Sequence, residues 1–220
     1  MGATAPASIG TGTATGGSVV ATTTGAVPVN AIVIVACFDD KTAGSITFST
    51  ADTGTNTYTN AQQCTQSGAK AALLYSLTTT AMAAASSVTT TMDGAAGSAA
   101  QALWTIGGIS LSSPLDIAVQ TGGSGTAPSV STGALAQPFE IIIATIVVKA
   151  GSADSYTPSA GFTALATVTQ GTNILRTEYQ IVGATTAVTW APTLGTSRTY
   201  GAVVCSFKIG ASDFLSFMSA

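Results

Sequence analysis

Two stretches, AIVIVACF at residues 31–38 and IIIATIVV at residues 141–148, decide the fold class. Each is a run of eight residues rich in Ile and Val, apolar throughout apart from Thr145 in the second, and bounded by turn formers: Pro28 and Asn30 before the first, Asp39 and Asp40 after it, Gly151 beyond the second. Runs of this length and composition are buried β-strands, since a membrane-spanning helix needs about 20 apolar residues. A strand that is apolar at every position shows an apolar side chain to both faces of its sheet, so both faces need cover.

The surroundings of the two runs also match. Thr24-Gly25-Ala26-Val27 before the first recurs 108 residues later as Thr132-Gly133-Ala134-Leu135 before the second, and Ala31-Ile32-Val33-Ile34-Val35 aligns with Glu140-Ile141-Ile142-Ile143-Ala144. Leu74-Tyr75-Ser76-Leu77 matches Glu178-Tyr179-Gln180-Ile181 at 104, and Gly108-Ile109-Ser110 matches Gly210-Ala211-Ser212 at 102. Thr15-Gly16-Gly17-Ser18 and Thr121-Gly122-Gly123-Ser124 lead in to the two copies. A recurrence with a slowly drifting offset predicts an internal duplication of about 105 residues with small loop deletions. Short Val, Ile, Thr and aromatic stretches punctuated by Gly, Asn, Asp and Pro fill both copies, and the most helix-like segment, Thr80–Ser87, is long enough for one turn at most.

The expected fold is therefore all-β, a jelly-roll-like or Ig-like β-sandwich of about six strands per half. Its expected parts are an N-terminal arm at 1–17, a first half at 18–112, a second half at 113–212 and an apolar tail at 213–220. The short link from Leu111 to Asp116 favours one sandwich shared by both halves over two in tandem. Trp104 and the two apolar runs are expected in its core. The arm, nearly all Ala, Thr and Gly, has too little to bury and is expected to be disordered in an isolated monomer. The Gly122–Gly125 segment reads as a flexible turn.

Composition narrows the function. Charged residues make up 7% of the chain, against about 25% in an ordinary soluble domain, so Thr, Ser, Ala and Gly must cover the surface. Such a skin offers little charge repulsion to an approaching subunit. Net charge is −3 and the basic residues Lys41, Lys70, Lys149, Arg176, Arg198 and Lys208 are scattered, so there is no footprint for nucleic acid. The absence of histidine excludes a Ser/His/Asp triad and removes the commonest metal ligand. Cys37, Cys64 and Cys205 have no metal-binding spacing, and Cys37 and Cys205 read as buried thiols inside strands. The start Met1-Gly2-Ala3-Thr4 lacks the regions of a secretory signal, so synthesis in a host cytoplasm is expected.

Few groups are left for chemistry. Asp39, Asp40, Asp52, Asp93 and Asp154 sit where turns are expected and read as turn caps. Asp39-Asp40 with Asp52 could offer oxygens to calcium, although the spacing matches no EF-hand or RTX repeat. Arg176 and Glu178, two apart on one strand, share a face that Trp190 or Tyr200 could join. That face reads either as a sugar-binding surface or as a surface ion pair. No catalytic residue, cofactor or metal is assigned.

Several motifs taken together resemble a known group. They are Asp52-x-Gly54-x-Asn56-Thr57-Tyr58, Leu74-Tyr75, Trp104 ahead of Gly107-Gly108, and Leu115-Asp116. In the second half they are Gly161-Phe162-Thr163-Ala164-Leu165, Glu178-Tyr179, Thr193-Leu194-Gly195 and Val204-Cys205-Ser206-Phe207-Lys208. Over residues 18–210 the chain resembles duplicated β-sandwich proteins encoded among the virion genes of tailed bacteriophages. The resemblance implies a non-enzymatic virion structural protein, a capsid decoration or minor head protein that stabilises the shell through contacts with other virion proteins and with copies of itself. The alternative is a tail or fibre module that binds host-surface glycan through exposed aromatic residues. Neither nucleic acid nor membrane is an expected partner. Phe214, Leu215, Phe217 and Met218 in the apolar tail are the expected interface residues.

Overall fold

A computed structural model describes residues 3–42, 44, 47–92 and 97–210. The four apolar tail residues Phe214, Leu215, Phe217 and Met218, and Asp93, lie outside the described residues.

The fold is all-β, and the first apolar run shows how it is layered. In β3 (Ile32–Asp39) every residue is buried, but the side chains go alternately to two different cores. Val33, Val35 and Cys37 point one way, against Val19, Ala21, Phe48, Val88 and Met92. Ile32, Ile34, Ala36 and Phe38 point the other way, against Ile141, Ile143, Val203, Cys205 and Phe207 of the second half. The first half consists of β3 with β1 (Ala7–Thr15), β2 (Ser18–Thr22), β4 (Phe48–Asp52), β5 (Thr59–Gln66), β6 (Ala69–Leu77), β7 (Ser87–Met92) and β8 (Ser98–Ile106). It makes a five-stranded sheet, β1-β8-β3-β6-β5, and a three-stranded sheet, β2-β7-β4. First strand paired with eighth, second with seventh and third with sixth is the wrap of a jelly roll. The fifth strand departs from it by staying beside β6.

The second half repeats this wrap. Its strands are β9 (Leu115–Gly125), β10 (Val130–Ser131), β11 (Glu140–Val148), β12 (Tyr156–Thr157), β13 (Thr163–Ala164), β14 (Val168–Gln170), β15 (Asn173–Val182), β16 (Thr189–Trp190), β17 (Thr193–Leu194) and β18 (Arg198–Lys208). The large sheet runs β13-β15-β11-β18-β9, with β14 also on β15. The small layer is broken, because Ala191-Pro192 interrupts its central strand: β16 pairs with β10 and β17 with β12. Proline has no N–H to give to a ladder. Register repeats as well as order. Ile34 faces Tyr75 and Ile143 faces Tyr179, matching the alignment of Ala31 with Glu140 and of Tyr75 with Tyr179 in the sequence.

This arrangement corrects the expectation of one shared sandwich. Each half closes its own two sheets, and the two large sheets then pack face to face, giving four layers in all. The physical reason lies in β3 and β11, whose two apolar faces could not both be covered in a two-layer sandwich. In β11, Ile142, Ala144, Ile146 and Val148 face Phe162, Trp190 and Leu194, while Ile141, Ile143 and Val147 join the central core with Trp104. The short link does not oppose this, since Ile109 just before it bridges to Ile209 and holds the halves back to back. Glycines set the closeness of the layers. A Cβ on Gly201 would stand 2.0 Å from the Ala69 carbonyl oxygen, and one on Gly122 would stand 2.8 Å from Cys64 Sγ.

Two further expectations are corrected. Residues 7–15 of the arm form β1, paired along its length with β8. Backbone hydrogen bonding and burial of Ile9 order it, while Gly10 and Gly12 let it lie over the carbonyls of Thr22 and Val20. Gly122–Gly125 is likewise no turn but the second part of β9, paired with β18.

Candidate functional site

The calcium candidates do not converge. Asp52 ends β4, where its carboxylate accepts from Asn56 N at 3.1 Å, Asn56 Nδ2 at 3.0 Å and Tyr58 Oη at 2.9 Å, so it staples its own loop. Asp39 and Asp40 lie at the end of β3. Asp39 accepts from Lys41 N at 2.7 Å, and Asp40 accepts from Ser98 N at 2.7 Å and from Asn173 Nδ2, in the other half, at 2.9 Å. Among the described residues no cluster of three or more Cys, Asp or Glu side chains is placed to hold a metal ion.

Glu178 and Trp190 are brought together as parity along β15 predicts, but inside the second sandwich, with Tyr200 in the same core and Arg176 half-buried. Glu178 is 1% exposed, and Trp190 Nε1 and Ser159 N each donate to its Oε2 at 3.1 Å, while the Tyr156 hydroxyl donates to Oε1. Burial pushes the Glu178 carboxyl up from its ordinary value, and burial followed by the nearby Glu178 pushes the Tyr156 phenol up. Arg176 stacks over the Tyr156 ring at 4.6 Å, and Arg198 grips Asp154 with two bonds of 2.6 and 3.1 Å. The face is therefore neither a sugar platform nor a surface ion pair between Arg176 and Glu178. It is an internal polar network that orients loops around a buried carboxylate.

Sequence reasoning did not single out a second acid site. Glu140, at the head of β11, is fully buried, and neither of its carboxylate oxygens has a well-formed hydrogen bond. The Asp116 carboxyl and the Ser206 hydroxyl are within its reach. Lys208 stands directly opposite Glu140 in the ladder, yet its Nζ lies 3.8 Å from Asp116 Oδ1 and donates to the Ser113 carbonyl at 3.3 Å. Burial, and then the neighbouring Asp116, push the Glu140 carboxyl up to about 7. The one available signal was a glutamate heading an otherwise apolar strand in a chain with very few charges.

The outer face of β2-β7-β4 is open to a partner. Registers stack its outward residues in three rows: Ser18, Thr91, Ser49; then Val20, Thr89, Ala51; then Thr22, Ser87, Thr53. None is charged, and Val20 is 52% exposed.

No family model, curated protein or solved structure matches this chain. The functional reading therefore rests on the geometry of these three places. Two are interior and one, the small-residue face, lies at the surface.

Proposed function

We propose that the chain is a non-enzymatic structural subunit of a phage virion, a capsid decoration or minor head protein that packs against neighbouring chains. The observation that carries this reading is the outer face of β2-β7-β4, nine short uncharged residues in a three-by-three array. A sheet face kept in bulk water ordinarily alternates apolar-in with charged or large polar residues outward, and charge on exposed strands prevents adhesion. A smooth face of hydroxyl and methyl groups suits close packing against another uncharged surface, with hydrogen bonds supplied by Ser and Thr.

The shell is favoured over a glycan-binding fibre because both tryptophans are used internally. Trp104 lies in the central core and Trp190 donates to Glu178, so neither offers a ring to a sugar. Quantitative mass spectrometry of purified particles tests the proposal: hundreds of copies are expected for a shell protein, and a handful would overturn the shell assignment. Thr89→Lys together with Val20→Glu, which adds charge to the face without touching a core, is expected to lower occupancy at least tenfold. Unchanged attachment of the folded double variant would remove the face as the docking surface.

A further inference from the structure

The end of the molecule that holds Glu140 is also where the two halves are tied. Thr4 N donates to the Gly107 carbonyl, Ser110 N to that of Lys208, Lys208 N to that of Pro114 and Gly210 N to that of Gly108. Ile117 N donates to Ser206 Oγ at 3.1 Å, and Ala136 N to Asp116 Oδ2 at 2.9 Å. The 107–114 link, the start of β9, the start of β11 and the end of β18 thus meet around two carboxyl groups and one ammonium. β15 contributes only Val182 opposite Glu140, and the 135–139 loop contributes Gln137. Asp116 and Lys208 are accordingly the charged groups that face Glu140 among the described residues.

The distribution of partners is uneven. Asp116 has the Lys208 ammonium and the Ala136 amide, while Glu140 has neither. An ionised carboxylate buried this deeply with a second carboxylate beside it is costly even with the Ser206 hydroxyl and the Gln137 amide in reach, so the Glu140 carboxyl keeps its proton more readily than an exposed one. When that proton leaves, the cation placed to answer the new charge is Lys208, opposite in the ladder. Turning toward Glu140 draws its ammonium off the Ser113 carbonyl.

We propose that Glu140 and Asp116 form a proton-operated clasp, which holds the 107–114 link to the end of β18 while Glu140 is protonated and loosens it when the proton is lost. The direction of the effect follows from the carboxyl being raised from an ordinary 4.5 to about 7 in the folded chain. The contribution to stability is full below about pH 4.5, declines as pH rises through 7, and is gone above it.

The test compares the full chain with Glu140→Gln, which keeps the shape and cannot ionise. The melting temperature of the wild type is expected to be about 5 °C lower at pH 8 than at pH 5, while the variant stays level. At pH 8, hydrogen exchange of the Ser110 and Gly210 amides, corrected for intrinsic pH dependence, is expected to be at least tenfold faster in the wild type than in the variant. A carbon-detected NMR titration of the wild-type Glu140 carboxyl decides the matter even if the variant does not fold. Titration near pH 4 overturns the proposal, as do parallel melting profiles or link amides that do not respond to the proton.

Discussion

Glu178 shows how much of a polar side chain's role was readable one residue at a time. Its spacing from Arg176 placed both on one face of β15, and Trp190 joins it there as that parity suggests. Its burial was not readable, because that depends on the loop carrying Tyr156 and Ser159 closing over it. Replacing Glu178 with Ala leaves an indole N–H, a phenol and a backbone N–H without their acceptor, and a loss of about 3 kcal/mol is expected in urea unfolding. Tyr58→Phe removes a single bond to the Asp52 carboxylate and is expected to cost about 1.5 kcal/mol. Glu140 and Asp116 were less legible still. They sit on strands that flank β18 on either side, and only the sheet order brings them together.

At the scale of elements, β3 and β11 could be read from their residues and β1 and β9 could not. Eight buried positions in a row leave β3 a single reading, whereas β1 (ASIGTGTAT) and the glycine-rich end of β9 have no hydrophobic period to read. These two edge strands are held by the ladders they share with β8 and β18, and a partner strand is not visible in local sequence. Ile142 is fully buried against the core that contains Trp190, so Ile142→Asp is expected to abolish soluble expression; recovery of a folded variant would place the strand elsewhere. Gly201→Ala probes the contact between layers. The added methyl would fall 2.0 Å from the Ala69 carbonyl oxygen, and a loss of about 1–3 kcal/mol is expected as the sheets shift apart.

For the whole molecule, the central core shared by the two large sheets is the defining feature. Trp104, Phe38, Leu73, Val203 and Phe207 all lie in it, and the Tyr75 ring meets Phe207 edge-on at 5.4 Å. Each half could complete its jelly-roll wrap alone, but alone it would leave the other face of its large sheet bare. Residues 113–210 expressed by themselves are therefore expected to aggregate or pair with one another, and adding residues 3–112 in trans is expected to rescue a soluble complex. Light scattering of the two fragments, separately and mixed, checks both outcomes.

The amino-acid sequence by itself determined that the chain is all-β and that two strands must be covered on both faces, because hydrophobic periodicity is a local property. It also determined the absence of histidine chemistry and the scarcity of surface charge. Tertiary structure alone decided that the covering comes from four layers instead of two, that the arm is a strand, that the Arg176 and Glu178 face is interior, and that Glu140 meets Asp116. These depend on which surfaces meet after each half has closed, and contacts between residues far apart along the chain leave no period in the sequence.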